Sequence, residues 1–313
     1  SHAGLHPHRT RRAQGMIIGA IDVGSNSVKL LVASVEGRKT RLLRHRSAVT
    51  RLGRGMDRTG RLSPAAQKHT IGVLKEFRRV CDELGADRVV AVATEAVRTA
   101  RNGRRFAARC RKEAGVPLRI ISGREEARLA FLGATFGRRE RRLAAVDIGG
   151  GSTELMVGSP GRLERSVSLP LGAVRLTEAI LKSDPPSPAE RSALFEEVRT
   201  RLAARLRFPA PATFLGVGGT CVNVARMARP DGDPEGRRLP LGELEALFDR
   251  LAGVPLKERK RIPGLDPERA DIIVAGAAIL IEAMRTLGIG SFTATVHGLR
   301  RGLVLEAARR PPP

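Results

Sequence analysis

The residues best able to do chemistry come in two near-copies of one phrase, Ile21-Asp22-Val23-Gly24-Ser25-Asn26-Ser27 and Val146-Asp147-Ile148-Gly149-Gly150-Gly151-Ser152-Thr153-Glu154, whose aspartates stand 125 residues apart. Each follows an apolar run and precedes another. Each therefore reads as a β-hairpin whose turn is made of Gly, Ser and Asn and whose first strand ends in a carboxylate. Such a turn can aim several backbone N–H groups at one point, a nest for an anion, and a neighbouring Asp can hold the cation that accompanies a phosphate. A single turn of this kind is an ordinary hairpin. Two of them, with Asp at the same offset, point to a duplicated fold gripping a phosphorylated ligand between its halves.

The elements around the hairpins repeat as well. In the first half the pattern predicts a strand over 40–50, a helix opened by Ser63-Pro64 and running to about Leu84, and a buried strand over 89–93. Helical segments over 94–100 and 105–114, a strand over 118–121 and a helix from Ser122 to about Phe136 follow. The second half gives a strand near 165–169, a helix over 172–181, and a helix from the capping box Ser187-Pro188-Ala189-Glu190 to near Leu206. A strand over 213–217, a helix over 220–227, helices within 241–251 and 267–287, a strand over 291–295 and a last helix to Ala308 complete it. Residues 229–238 read as an exposed loop with no chemical signature. The expectation is an α/β chain of two similar lobes, 16–140 and 141–296, with the last helix, 297–310, packing back on the first. Residues 1–15 read as a disordered leader or an expression remnant.

Composition narrows the class. A length of 313 residues with 42% apolar content suits two cored domains. No apolar stretch approaches the ~18 residues of a membrane span, and the start lacks a signal-like apolar region, so a cytoplasmic protein with no membrane partner is expected. Cys81, Cys110 and Cys221 are scattered and odd in number, which indicates neither a disulfide framework nor a zinc site. The formal charge is +24, with 48 Arg against 8 Lys. That surplus suits a polyanion, Arg being the better bidentate phosphate ligand. A coding bias toward G and C gives the same composition. Nucleic acid is disfavoured as a partner: Trp and Tyr are absent, aromatic content is 3%, and no helix-turn-helix or zinc pattern appears.

Seven ordered motifs carry a family resemblance. They are residues 21–27, Arg51-Leu52-Gly53-Arg54-Gly55, residues 94–102 (Thr94-Glu95-Ala96-Val97-Arg98 and on), Ile121-Ser122-Gly123-Arg124-Glu125-Glu126-Ala127, residues 147–154, residues 168–175, and Gly216-Val217-Gly218-Gly219-Thr220. Together they resemble the exopolyphosphatase and guanosine pentaphosphate phosphohydrolase family, in its short two-domain form, over about residues 16–308. The resemblance implies the duplicated actin-like, sugar-kinase-like and Hsp70-like ATPase fold, of ribonuclease H-like type, with the ligand in the cleft between lobes. It also implies Mg2+-dependent (or Mn2+-dependent) release of terminal phosphate from inorganic polyphosphate or guanosine pentaphosphate. Gly298-Leu299-Arg300-Arg301-Gly302 departs from the family's Gly-Leu-Arg-Glu-Gly, placing Arg301 where an acid is usual.

Hydrolysis of a phosphoanhydride needs a cradle for phosphoryl oxygens, a cation to draw off charge, and a base that orients water. Ser25, Asn26 and Ser27 with Gly149, Gly150, Gly151 and Ser152 are the expected cradle. Asp147 and Glu154 are the expected metal ligands, with Asp22 a weaker third that a turn-stabilising role would explain as well. Ser122-Gly123-Arg124-Glu125 has capping-box spacing, which occupies Glu125 and leaves Glu126 to face the cleft. The family's catalytic carboxylate also corresponds to Glu126, the residue before Ala127. The resemblance makes Arg98 a phosphate ligand. Gly218 and Gly219 end a strand and begin a helix, where an N-terminus can hold a further anion, although close packing alone would also explain glycines there. Charge and the lack of Trp and Tyr favour linear polyphosphate over guanosine pentaphosphate. A non-catalytic phosphate- or nucleotide-binding regulator and an ATP-dependent kinase are the other readings, and a homodimer is kept as the oligomeric expectation.

Overall fold

The structure, a computed structural model, describes residues 15–37, 39–204 and 213–309. The readings for residues 1–14, for a helix end at Leu206 and for residue 310 lie outside the described residues.

The first half runs β1 (Met16–Val23), β2 (Ser27–Glu36), β3 (Lys39–Val49), α1 (Met56–Thr59), α2 (Pro64–Glu83), β4 (Arg88–Ala93), α3 (Glu95–Thr99), α4 (Gly103–Ala114), β5 (Arg119–Ile120) and α5 (Gly123–Thr135). The second runs β6 (Leu143–Ile148), β7 (Thr153–Ser159), β8 (Arg162–Leu169), α6 (Ala173–Ile180), α7 (Pro188–Ala203), β9 (Phe214–Val217), α8 (Gly218–Ala228), β10 (Arg238–Pro240), α9 (Leu241–Ala252), α10 (Leu256–Arg259), α11 (Ile273–Thr286), β11 (Ser291–Thr295) and α12 (Leu299–Arg309). Two mixed sheets result, ordered β3-β2-β1-β4-β5 and β10-β11-β9-β6-β7-β8. In each, three antiparallel strands are followed by a crossover to a strand parallel to the first: β4 lies beside β1 and β9 beside β6. This is the duplicated actin-like α/β arrangement, and it explains the sequence pattern. β1 and β6 are covered on both faces and so are nearly continuously apolar. The edge strand β3 instead carries Lys39, Arg41, Arg44 and Arg46, which blunt it against pairing with another chain.

Local chemistry sets the helix starts. Ser63 Oγ accepts from Ala66 N at 3.3 Å with Pro64 in the first turn, and at α7 Ser187 and Glu190 close a full capping box. At α5 the box is half made. Ser122 Oγ accepts from Glu125 N at 3.2 Å, but the Glu125 carboxylate turns outward to pair with Arg119 instead of returning to the cap. The helix read from residue 267 begins only at Ile273. Asp266 caps a separate 3-10 turn, Pro267–Arg269, because Arg269 and Asp271 are drawn toward Ser27 and Arg51 of the first half. α1, held between the left-handed Gly55 and Gly60, and the three-residue β10 are too short to show a period.

A core cluster of Ile18 and Ala20, Ala145, Leu215 and Val217, Leu129 and Phe131, and Leu299 and Leu303 lies between the sheets, so β1, β6, β9, α5 and α12 share it. α12 meets α5 backbone to backbone. A Cβ on Gly302 would lie 1.9 Å from Leu129 O, and one on Gly133 2.1 Å from Gly298 O. That contact fixes the helix whose first turn presents Glu126.

Candidate active site

Both bends close with the same short bond, Gly24 N to Ser27 O at 3.1 Å and Gly149 N to Ser152 O at 2.9 Å. Strand register then creates a difference between the copies. Asp22 stands opposite Lys29, whereas Asp147 stands opposite Glu154. One hairpin therefore offers an acid and a base cross-strand, the other two acids. The bends face each other at contact distance: a Cβ on Gly150 would lie 3.1 Å from Asn26 N, and one on Gly151 2.8 Å from Ser25 Oγ. Only glycine allows that approach.

Between them lies a cavity of about 60 Å³. Since one water needs ~10–15 Å³ by this measure, it has the capacity of a phosphoryl group with a cation and an attacking water. Asp22, Ser25, Asn26, Ser27, Glu126, Asp147, Gly149, Gly150, Gly151, Ser152, Glu154 and Gly219 all line it. Arg98 and Gly218 do not, but each touches a residue that does. Arg98 Nη1 donates to Glu126 Oε2 at 3.1 Å and to Ile121 O at 2.8 Å, holding the carboxylate in place rather than pointing into the cavity. Gly218, at φ +85°, packs where a Cβ would sit 2.4 Å from Asp147 Oδ1.

Burial and crowding govern the acids. Glu126 is raised well above the usual carboxylate range by burial and by Glu154, with Arg98 opposing. Glu154 is pushed up to about 8 by burial and by Asp147, although Ser168 Oγ donates to it at 2.7 Å. Burial also raises Asp22 and Asp147. Asp22 Oδ1 and Asn26 Nδ2 are buried without a hydrogen-bond partner. The turn-stabilising bond that would have explained Asp22 is therefore not made by that oxygen.

Three cations were not anticipated. Lys29 and Arg269 line the cavity, and Arg300 sits close enough to Asp22 and Asp147 to lower both. Burial lowers Lys29 to about 8, with Arg269 adding to the effect. Lys29 had a readable signal, a lone charge within Ser27-Val28-Lys29-Leu30-Leu31-Val32. Arg269 had none: its Nη2 reaches Ser27 Oγ at 3.4 Å across 242 residues of chain. Glu95, Thr94 and Thr220 are further polar residues of the lining. Arg301, the departure from the family pattern, stacks on Phe136 with its guanidinium 5.0 Å from the ring centre.

Among the described residues no three His, Cys, Asp or Glu side chains gather as a metal-binding cluster. Mg2+ does not require one. It is commonly held by one or two carboxylates, retained waters and substrate phosphate. The cross-strand pair Asp147 and Glu154, the first partly and the second fully buried, mutually repelling and facing a cavity, fits that mode.

A duplicated actin-like fold whose halves meet at two glycine bends, with buried carboxylates behind them, defines a phosphate-handling protein. The profile of the Ppx/GppA phosphatase family matches residues 31–310, and the chain belongs to that family. It is thereby an enzyme, a phosphoanhydride hydrolase. Exopolyphosphatase 2 of Mycobacterium tuberculosis is 34% identical over 314 residues, spanning 93% of this chain and 98% of its own. Exopolyphosphatase 1 of Mycobacterium leprae is 34% identical over 302 residues, spanning 93% and 89%. The crystal structure of the Aquifex aeolicus member of the Ppx/GppA family superposes with a TM-score of 0.80 at 34% identity, over 93% of this chain and 97% of that one. An exopolyphosphatase-like protein gives 0.89 at 29% identity, over 94% and 98%. No described helix is long and apolar enough to cross a membrane.

Proposed function

We propose that the protein is an exopolyphosphatase that removes the terminal phosphate of inorganic polyphosphate. Residues 16–140 and 141–296 act as two lobes that close on the chain end. The observation that carries this reading is the convergence of both bends and Glu126 on one small cavity. Backbone N–H groups of residues 25–27 and 150–152 cradle the terminal phosphoryl oxygens, while Gly149, whose own N–H closes the bend onto Ser152 O, and Gly218 and Gly219 support the second half of the cradle. Lys29 and Arg269 meet the negative charge from the side. Glu126 orients water in line with the bridging oxygen and takes its proton as the new P–O bond forms. The bridging P–O bond breaks, and the shortened chain leaves with the electron pair. A carboxylate raised toward neutrality by burial is a stronger base than a solvated one. Arg98 holds it at the angle this requires. Asp147 and Glu154, with Asp22 as a third carboxylate, would hold Mg2+ or Mn2+, which would neutralise charge on the phosphoryl oxygens.

Linear polyphosphate is favoured over guanosine pentaphosphate because the cavity lining contains cations and no aromatic ring on which a base would stack. Phosphate release from long polyphosphate, guanosine pentaphosphate and ATP, measured in parallel with and without Mg2+, tests this. Release from polyphosphate that depends on Mg2+ is expected. Release from the guanosine compound alone would replace the substrate, and ADP formed with a phosphorylated acceptor would favour a kinase.

A further inference from the structure

A carboxylate sits where an anion cradle should least welcome one. Glu95, buried at the start of α3, places Oε2 3.1 Å from Ser25 Oγ, which donates to it, and a Cβ on Gly151 would meet that same oxygen at 1.8 Å. It therefore wedges between the two bends. Its charge is answered from the other half of the molecule: Arg175, on α6, donates through Nη2 to Glu95 Oε1 at 2.6 Å. The same guanidinium donates through Nε to Gly151 O at 3.1 Å and pairs through Nη1 with Asp57 of α1. One planar group thus ties the first bend, by way of Glu95 and Ser25, to the backbone of the second. Its fork of donors is the reason Arg and not Lys suits the position.

We propose that Glu95 and Arg175 are a positioning pair that sets the distance between the two phosphate-binding bends, and so the alignment of the terminal phosphoryl group with the water at Glu126. The proposal deepens the exopolyphosphatase reading and rests on it for its effect on turnover. Neither residue touches the reacting atoms. Both act through the bends, where a displacement of about 1 Å costs on the order of 10²-fold in rate. The Ser25 hydroxyl proton is engaged by Glu95, so at this residue the cradle is made by backbone N–H and not by the hydroxyl.

Glu95→Gln, which keeps volume, Arg175→Ala and the double variant test the pair in two ways. Turnover on polyphosphate is measured on folded protein, and the spacing of the halves is measured between spin labels on cysteines introduced at exposed Arg54 and Lys182, the native cysteines being buried. These sites flank the contact of Gly55 N with the Glu178 carboxylate at 3.0 Å. Each single variant should lose about 10²-fold in kcat, the double should be no slower than the slower single, and the label distances should broaden. A narrow, wild-type-like distance distribution in folded variants overturns the proposal whatever the turnover. Additive losses in kcat overturn the claim that the two act as a unit. A wild-type protein that releases phosphate from no substrate overturns the functional reading alone, because the label distances still test the pair.

Discussion

Glu154 and Lys29 occupy the same place in the two hairpins, one an acid and the other a base, and the proposed site assigns a cation to the first and phosphate oxygens to the second. Without metal, Glu154 binds its proton far more tightly in the folded chain, at about 8, than at the ordinary 4.5 of an unfolded one. Its stabilising contribution is therefore complete below about 4.5 and is lost as pH rises through 8. Calorimetry of metal-free protein should show Tm falling across that window, a flatter fall in Glu154→Gln, and a recovery on adding Mg2+ that grows with pH. Equal slopes in wild type and variant would remove Glu154 as the cause. At Lys29 the opposite chemistry applies: Lys29→Ala deletes a cation from the cradle and should raise KM for polyphosphate by about tenfold or more with little change in kcat, the worth of a charged hydrogen bond being ~1.5–3 kcal/mol. The sequence exposed Asp22, Asp147, Glu126 and Glu154 because each sits in or beside a glycine turn or helix cap. Arg269 was hidden because an isolated arginine among 48 carries no local signature, and Arg300 was passed over because its motif, Gly298-Leu299-Arg300-Arg301-Gly302, was read only for the change at Arg301.

α5 is the element that carries the proposed base, Glu126, and its position is set by what lies behind it. Leu129 O and Gly302 are so close that an added methyl has no room, so Gly302→Ala should destabilise the protein by about 1–3 kcal/mol through overpacking. It should also lower turnover by tilting Glu126, both effects being read from chemical denaturation and initial rates. Stability unchanged in that variant would mean the helices part without cost. Most elements were legible because caps and apolar periods are local: Ser63, Ser122 and Ser187 each mark a helix start that the structure contains. The failures are instructive in the same terms. Glu125 leaves its cap for a charged partner six residues back, Arg119, and Pro267–Arg269 leaves its helix for the cleft, where Arg269 meets Ser27 across 242 residues of chain.

Across the whole molecule, duplication made the fold readable, since two hairpins with the same crossover imply two sheets of the same order. How the halves meet was not readable. Arg51 pairs with Asp271, Gly55 with Glu178 and Arg175 with Asp57, contacts that join segments more than a hundred residues apart. The net charge of +24 belongs to this scale too: on the proposed reading it would draw a polyanion toward the cleft over distances that salt screens. KM for long polyphosphate should rise steeply between about 0.05 and 0.5 M salt while kcat holds; a salt-independent KM would make the basic surplus irrelevant to substrate capture. The account depends most on Glu126 acting as base on a phosphoryl group held by both bends. Single-turnover phosphate release and equilibrium polyphosphate binding, measured together on Glu126→Gln, address that directly. The account predicts wild-type affinity with release abolished; release at the wild-type rate would contradict it.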